Sequence, residues 1–189
     1  MMDFEQAKTT LGEEFGFFFE VIRAQVLALN LDRGARILDV GTGKGRVAIT
    51  LALSGYKVLT GEPAADQSEY AKQAWFKDAQ AVGADGSITY QAFDAEQLPF
   101  EDDAYDAVFM VGALHHMGNP GAAIAECVRV LAPEGVLCVL EPNDKLLARA
   151  RLRFPDHPDA EDPRRYAQGA SVQVAHGEMF DGYLVRRSQ

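Results

Sequence analysis

The sequence predicts an α/β fold built on a doubly wound, mostly parallel sheet. Two observations predict it. Short apolar runs alternate with longer amphipathic runs between residues 36 and 153, and uninterrupted apolar strands are typical of a parallel sheet covered by helices on both faces. The first apolar run, RILDV at residues 36–40, leads directly into a glycine-rich turn and a helix. Right-handed crossovers between such strands place helices on both sides of the sheet.

Each apolar run has the length of a strand, and each amphipathic run has the length of a helix. The predicted strands are 36–40, 56–60, 87–92, 105–111 and 135–141, and the predicted helices that follow them are 45–54, 65–81, 120–131 and 144–153. Residues 154–169 are rich in Pro, Asp and Arg and are predicted as loop. Two further strands, 171–176 and 183–187, predict an antiparallel hairpin at the sheet edge, with Asp181 and Gly182 among the turn residues.

The charge of the chain argues against nucleic acid as a partner. Its 189 residues carry a net charge of −10, whereas surfaces that bind nucleic acid are usually basic. The apolar runs are too short to span a bilayer, and the N-terminus lacks the basic and apolar regions of a signal peptide. We therefore expect a cytoplasmic protein in which Cys127 and Cys138 are buried thiols.

A glycine-rich loop is the strongest functional signal. It lies in ILDVGTGKGRVAITLA, residues 37–52, between a predicted strand and a predicted helix. Gly41, Gly43 and Gly45 allow a tight turn and the close approach of a ligand, and the start of the helix favours an anionic group such as a carboxylate. The dinucleotide pattern G-x-G-x-x-G fails, because Arg46 takes the place of its third glycine. This argues against the alternative of a nicotinamide-dependent reductase.

Three carboxylates lie at or just after the ends of predicted strands, at the edge where open α/β sheets bind ligands. Asp39 is placed to order the loop amides or to hold a ligand's ammonium group through water, and a simple loop cap is its alternative role. Glu62 lies 21 residues beyond Gly41 and can accept hydrogen bonds from both hydroxyls of a ribose. A solvated turn carboxylate is the alternative for Glu62, and a helix N-cap is the alternative for Asp94.

Together these residues resemble the class I methyltransferases that depend on S-adenosylmethionine (SAM), in particular the small-molecule branch that includes enzymes of ubiquinone and menaquinone biosynthesis. The matching segments are ILDVGTGKGRVA, Glu62-Pro63, FDAEQLPFEDDAYDAVFMVGALHHM at 93–117 and RVLAPEGVLCVLEP at 129–142. The resemblance implies a Rossmann-like, seven-stranded sheet whose C-terminal strand is antiparallel. It also implies SAM as the cofactor and methyl transfer to a small-molecule acceptor. A non-catalytic SAM-binding regulator or subunit is the alternative.

The resemblance assigns contacts with SAM to individual residues, all of them at predicted strand ends or in the loops that follow. Asp39 and Gly45 belong to this cofactor-binding set as part of the glycine-loop region. The other assignments are Gly41, Thr42 and Gly43 to the methionine part, Val111 and Gly112 to a position against the methionine chain, Glu62 to the ribose, Pro63 to a place beside the adenine, Asp94 to the adenine amino group, and the Ala95 N–H to a ring nitrogen.

Methyl transfer from a sulfonium mainly requires positioning and exclusion of water, but an acceptor hydroxyl, thiol or amine can need a base. His115 and His116 follow the fourth predicted strand, and His115 is the candidate catalytic base because it is closer to the strand end. A loop histidine that shapes the pocket, or a helix cap, is the alternative. We expect no metal site, since the acidic run Glu101–Asp103 has no histidine or cysteine converging with it.

The N-terminal segment is predicted to be a helical cap, residues 1–33, that precedes the SAM-binding domain at residues 34–189. Apolar residues recur at helical spacing over residues 3–30, which predicts one amphipathic helix. The chain lacks the long insertion after Glu141 from which relatives build a lid, so the aromatic stretch at 14–20 is a candidate cover for the acceptor. A helix packed on the sheet is the alternative. A small-molecule substrate is the expected partner, and a homodimer is left open.

Overall fold

The structure is a computed structural model that describes residues 2–64 and 74–188. It divides into two compact units, Met1–Phe93 and Asp94–Gln189. Within the described part of the chain, no helix combines the length and the apolar character that are needed to cross a bilayer.

A parallel three-stranded arrangement with helices forms the first unit. Its strands are β1 (Ile37–Val40), β2 (Val58–Gly61) and β3 (Ile88–Tyr90), and its helices are α1 (Phe4–Leu11), α2 (Glu13–Leu29), α3 (Arg46–Leu53) and α4 (Trp75–Ala81). β2 pairs in parallel with both β1 and β3. The helix predicted over residues 65–81 is confirmed over Trp75–Ala81, and residues 65–73 lie outside the described residues.

The N-terminal segment forms two helices, so the prediction of one continuous helix over residues 3–30 is wrong. Gly12 separates α1 from α2 with a φ of 87°, a left-handed conformation that glycine adopts without steric cost. Phe15 and Phe19 on α2 are buried in one apolar cluster with Ile49 on α3. The apolar spacing of a helix therefore continues across the break, because both helices bury one face against the same core.

The second unit combines a parallel strand pair with an antiparallel hairpin. Its strands are β4 (Tyr105–Val111), β5 (Leu131–Pro142), β6 (Ala170–His176) and β7 (Phe180–Arg187), and its helices are α5 (Pro120–Arg129) and α6 (Asp144–Arg151). β4 and β5 are parallel, and β7 is antiparallel to both β5 and β6. β5 begins earlier than predicted because Tyr105 pairs with Leu131 before a register shift, after which Ala107 pairs with Val136.

The C-terminal hairpin is confirmed, but its turn is not where the sequence predicts it. Asp181 and Gly182 lie within β7 and pair with Glu141 and Leu140 of β5. The chain reverses over residues 177–179, where the Gly177 amide donates a hydrogen bond to the Phe180 carbonyl at 2.9 Å. The Asp-Gly signal fails here because pairing with β5 holds those residues extended.

The strand order is β3-β2-β1 in the first unit and β4-β5-β7-β6 in the second. With β7 antiparallel to its neighbours, this confirms the predicted α/β, mostly parallel seven-stranded fold with an antiparallel C-terminal strand. Cys127 and Cys138 are buried free thiols, as predicted. Burial raises the pKa of each thiol to about 12, because an apolar environment disfavours the thiolate.

Gly61, at the end of β2, is a position where the packing of the first unit leaves no room for a side chain. A Cβ there would lie 1.9 Å from the Gln91 carbonyl oxygen and 2.4 Å from the Phe93 ring. We expect Gly61→Ala to lower the free energy of unfolding by about 1–3 kcal/mol or more, measured by urea denaturation. Gly34→Ala is the control, since its Cβ would meet nothing within 4 Å. Equal losses in the two variants would contradict this account.

Candidate functional site

The glycine-rich loop between β1 and α3 is built from left-handed residues. Gly41, Gly43 and Gly45 have φ values of 92°, 46° and 70°. Residues with a Cβ rarely adopt this left-handed backbone region. Gly45 is the N-cap of α3, and no side chain in the described part of the chain caps that helix. A Cβ at Gly45 would also lie 2.8 Å from the Cβ of Trp75. The loop therefore presents backbone groups rather than side chains beside the start of α3.

Glu62 closes this loop. Its Oε2 accepts a hydrogen bond from the Gly43 amide at 3.0 Å, and the side chain is part-buried. The Gly41 amide donates to the Gly61 carbonyl at 2.9 Å, so the loop is held against the end of β2 at two points. Pro63 follows as an exposed residue. The structure thus brings together the glycine loop and the carboxylate that the sequence singles out.

Asp39 is fully buried under the loop. Its Oδ2 accepts a hydrogen bond from the Thr60 hydroxyl at 2.8 Å, and that hydroxyl lies 2.9 Å from the Thr42 hydroxyl. Among the described residues, nothing bonds to Asp39 Oδ1. Burial, with a smaller contribution from the Glu62 charge, raises the pKa of Asp39 to about 8 against the opposing hydrogen bond from Thr60.

Thr60 is the member of this network that sequence analysis misses. The parallel register places Thr60 directly beside Asp39, one strand over. A threonine in an apolar strand is also a common β-former, so its residue type alone gives no signal. Only the pairing of β1 with β2 identifies it as the partner of the carboxylate.

The second unit carries four of the predicted cofactor residues, and the structure locates each of them within it. Asp94 accepts a hydrogen bond from the Glu96 amide at 2.9 Å, inside a turn that leads to no helix. The N-cap alternative for Asp94 is therefore wrong. Ala95 is buried, Val111 ends β4, and Gly112 follows it with a φ of 61°. Position 112 favours glycine because the backbone there is left-handed.

His115 lies in a 3₁₀ turn, Leu114–His116, just after β4. Its side chain is only 2% exposed, and its Nδ1 lies 2.7 Å from Oε2 of Glu141, whose side chain is 1% exposed. In the tautomer that donates a hydrogen bond from Nδ1 to the Glu141 carboxylate, the lone pair of the imidazole lies on Nε2. Asn119 caps the next helix instead, so the helix-cap alternative for His115 is wrong.

Glu141 is the functional candidate that sequence analysis overlooks. It lies near the end of β5, and its Oε2 also accepts the Glu161 amide at 3.1 Å. The sequence offers one signal for Glu141, which is its position at the end of the apolar run GVLCVLE. A carboxylate at the end of a buried strand indicates a hydrogen-bond partner, because buried carboxylates without partners are rare. His115 and Glu141 together form a buried pair in which the carboxylate orients the imidazole.

The N-terminal helix α2 makes contacts with the residues around the glycine loop. Glu14 forms ion pairs with Lys44, at 3.0 Å, and with Arg46. The Arg46 guanidinium lies 3.7 Å from the centroid of the Phe18 ring, within the range of a cation–π contact. Phe17 is 36% exposed. The aromatic stretch is thus divided between core packing and the surface, and its role as a cover for the acceptor stays a prediction.

Comparison with known proteins gives the family. A family model described as a methyltransferase domain matches residues 38–139, more than half of the chain. The chain therefore belongs to the methyltransferase-domain family. A crystal structure of a candidate SAM-dependent methyltransferase from Methanococcus maripaludis superimposes with a TM-score of 0.74 at 17% identity. The superposition covers 97% of this chain and 90% of the other chain. At 17% identity this likeness establishes a shared fold and nothing more.

Two named relatives indicate the kinds of methyltransferase that the chain resembles. The 27-O-demethylrifamycin SV methyltransferase of Amycolatopsis mediterranei is 31% identical over 151 residues, covering 79% of this chain and 52% of the relative. The demethylmenaquinone methyltransferase of Mycobacterium tuberculosis is 34% identical over 135 residues, covering 70% and 53%. The chain therefore spans about half the length of these relatives.

The raised pKa of Asp39 predicts a specific pH dependence of stability. Between its unfolded pKa near 4 and its folded pKa of about 8, the unfolded state releases the proton first, so stability falls as the pH rises. The loss from this one group should approach about 1.4 kcal/mol per pH unit in that range. Asp39→Asn, which cannot ionise, should lack this component in urea denaturation at pH 5, 6 and 7.

Asp32→Asn is the matched control, because Asp32 is exposed. The wild type and Asp32→Asn should lose stability in parallel over this range, while Asp39→Asn gains on both as the pH rises. If all three curves stay parallel, Asp39 does not remain protonated in the folded protein.

Proposed function

We propose that the protein is an enzyme that transfers a methyl group from SAM to a small-molecule acceptor. One observation carries the proposal: the Glu62 carboxylate lies at the glycine loop, 3.0 Å from the Gly43 amide. This arrangement puts an acceptor for ribose hydroxyls beside backbone donors for a carboxylate. Membership of the methyltransferase-domain family supports the same activity.

The residues of the first unit fit the cofactor. Asp39 Oδ1 is a buried polar atom without a partner among the described residues, and such an atom is satisfied by a polar group of a ligand or by a water that the ligand holds. Thr42 is 3% exposed and its hydroxyl faces Thr60, so we propose that it contributes its backbone. For Pro63, Asp94, Ala95, Val111 and Gly112 the proposed contacts rest on the family resemblance.

SAM, when bound, supplies a methyl group that is already activated by the positive charge of its sulfur. The protein then has to orient the acceptor, exclude water and remove a proton. We propose that His115 accepts the acceptor's proton at Nε2. Glu141, 2.7 Å from Nδ1, holds the required tautomer and stabilises the imidazolium that forms.

A hydroxyl group is the acceptor that this arrangement favours. An acidic hydroxyl gains nucleophilicity when a base removes its proton. The name of one relative specifies an O-methyltransferase reaction and that of another a demethylmenaquinone methyltransferase. Phenols and hydroquinones therefore come first in an acceptor screen, in which release of S-adenosylhomocysteine is measured.

The alternative is a non-catalytic SAM-binding subunit, and measured turnover on any acceptor would eliminate it.

The acidic net charge of −10 supports a partner other than nucleic acid. The two free buried cysteines are in keeping with the cytoplasm, where thiols stay reduced. Sedimentation measurements would determine whether the protein is a homodimer.

Cofactor binding gives the first functional test. SAM should bind with micromolar affinity, about −7 to −9 kcal/mol by calorimetry, and should raise the melting temperature. Glu62→Ala should weaken binding by about tenfold or more, because it removes charge-assisted hydrogen bonds to the ribose. Glu101→Ala, at an exposed carboxylate, is the control. No heat and no thermal shift at millimolar SAM would refute the proposed function.

His115 is tested by separating turnover from binding. His115→Ala should slow methyl transfer by about 10²-fold or more with little change in Kd for SAM, because the base acts only in the chemical step. Added imidazole should restore part of the rate. Glu141→Gln should lower kcat more than it changes the KM of the acceptor, and His116→Ala should have a smaller effect. A His115→Ala enzyme with the wild-type kcat would exclude the base role.

A further inference from the structure

Three of the four histidines of the chain converge in the second unit. His116 and His157 lie beside His115, with ring centroids 4.1 Å and 5.1 Å from that of His115 and 5.2 Å from each other. One ligand atom from each of the three lies within 4.8 Å of the others. Imidazole is the commonest protein ligand for transition metals, and three histidines make a complete protein ligand set for Zn²⁺ with an open fourth position.

Hydrogen bonds on the outer side of the cluster orient two of these rings. Glu141 engages Nδ1 of His115 at 2.7 Å, so the lone pair of His115 that can bind a metal is on Nε2. The His157 Nδ1 lies 3.1 Å from the Pro158 carbonyl oxygen. Metal-bound histidines commonly make such contacts to a carboxylate or a carbonyl through the other ring nitrogen, which fixes the tautomer and raises the basicity of the ligand.

The backbone around His157 is held in place. Its amide donates to the Phe154 carbonyl at 3.0 Å, and Arg151 donates to the His157 carbonyl at 3.1 Å. Arg151 also forms an ion pair with Asp159 at 2.6 Å. These contacts keep a loop residue beside the 3₁₀ turn that carries His115 and His116.

The site needs only a modest contraction to hold a metal. Nitrogen atoms that share a tetrahedral Zn²⁺ lie about 3.3 Å apart, given Zn–N bonds of about 2.0–2.1 Å. His115 is nearly buried, whereas His116 is exposed and His157 is partly exposed. The ion thus has a route from solvent, and rotation of the two more exposed rings can close the remaining distance.

We propose that His115, His116 and His157 bind a divalent transition-metal ion such as Zn²⁺, and that the bound ion inhibits methyl transfer by occupying Nε2 of His115. The binding part of the proposal stands on the geometry of the cluster. The inhibitory part rests on the proposed function, because the nitrogen that would take the acceptor's proton is the one that the metal takes.

Binding is tested without reference to activity. Protein treated with EDTA and then freed of it should bind about one Co²⁺ per chain, with the visible absorption of a site of low coordination number, and Zn²⁺ should displace the Co²⁺. His157→Ala should lower the affinity for Co²⁺ by about tenfold or more. His176→Ala is the matched control, since His176 lies on β6 with its Nδ1 3.0 Å from Asp181. Absence of the spectrum, or equal affinity in His157→Ala, would overturn the site.

Inhibition is tested on the same proteins. Zn²⁺ should lower the rate of S-adenosylhomocysteine release by the wild type and by His176→Ala, and EDTA should restore it. His157→Ala should resist Zn²⁺ relative to its own metal-free rate. A metal that binds but leaves the rate unchanged or raises it would overturn the inhibitory role. If no acceptor is turned over with or without metal, the proposed function fails while the Co²⁺ spectrum still decides the site.

Discussion

The hydrogen bond from the Gly43 amide to Glu62 is the interaction on which the rest of the first unit's site depends. Left-handed glycines cost conformational entropy on folding, so a loop that contains three of them needs an external restraint. Glu62 and the Gly61 carbonyl supply it from the end of β2. The loop is therefore ordered by the neighbouring strand, and its amides keep a fixed direction beside the start of α3.

Beneath the loop, Asp39 is a buried carboxyl group that lowers stability and that we propose belongs to the cofactor site. A fully buried carboxylate with one unpartnered oxygen costs free energy that an apolar residue would not. The Thr60 hydroxyl recovers part of that cost by donating a hydrogen bond at 2.8 Å. Such a residue is expected where function, rather than packing, has determined the side chain.

The second unit also contains a buried carboxyl group, Glu141, whose Oε1 likewise has no partner among the described residues, while its Oε2 has two. Glu141 has His115 as its partner and receives a second hydrogen bond from the Glu161 amide. The pair fixes one imidazole tautomer and directs Nε2, and the same nitrogen is suited to a proton or to a metal ion. The proton transfer and the metal binding that we propose would therefore compete for one lone pair, and His116 and His157 would control which of the two occupies it.

The sequence by itself determined the alternation of strands and helices, the glycine loop and its carboxylate, because apolar period and glycine spacing are local properties of the chain. It failed at Gly12, where a left-handed glycine interrupts an apolar spacing that continues on both sides of it. It also failed at Asp181 and Gly182, which pairing with β5 holds in a strand although the dipeptide is a local turn signal. The partners Thr60, Glu141 and His157 were decided only by the tertiary structure. Each lies 21 or more residues from the residue it accompanies, and no local pattern specifies a contact across that distance.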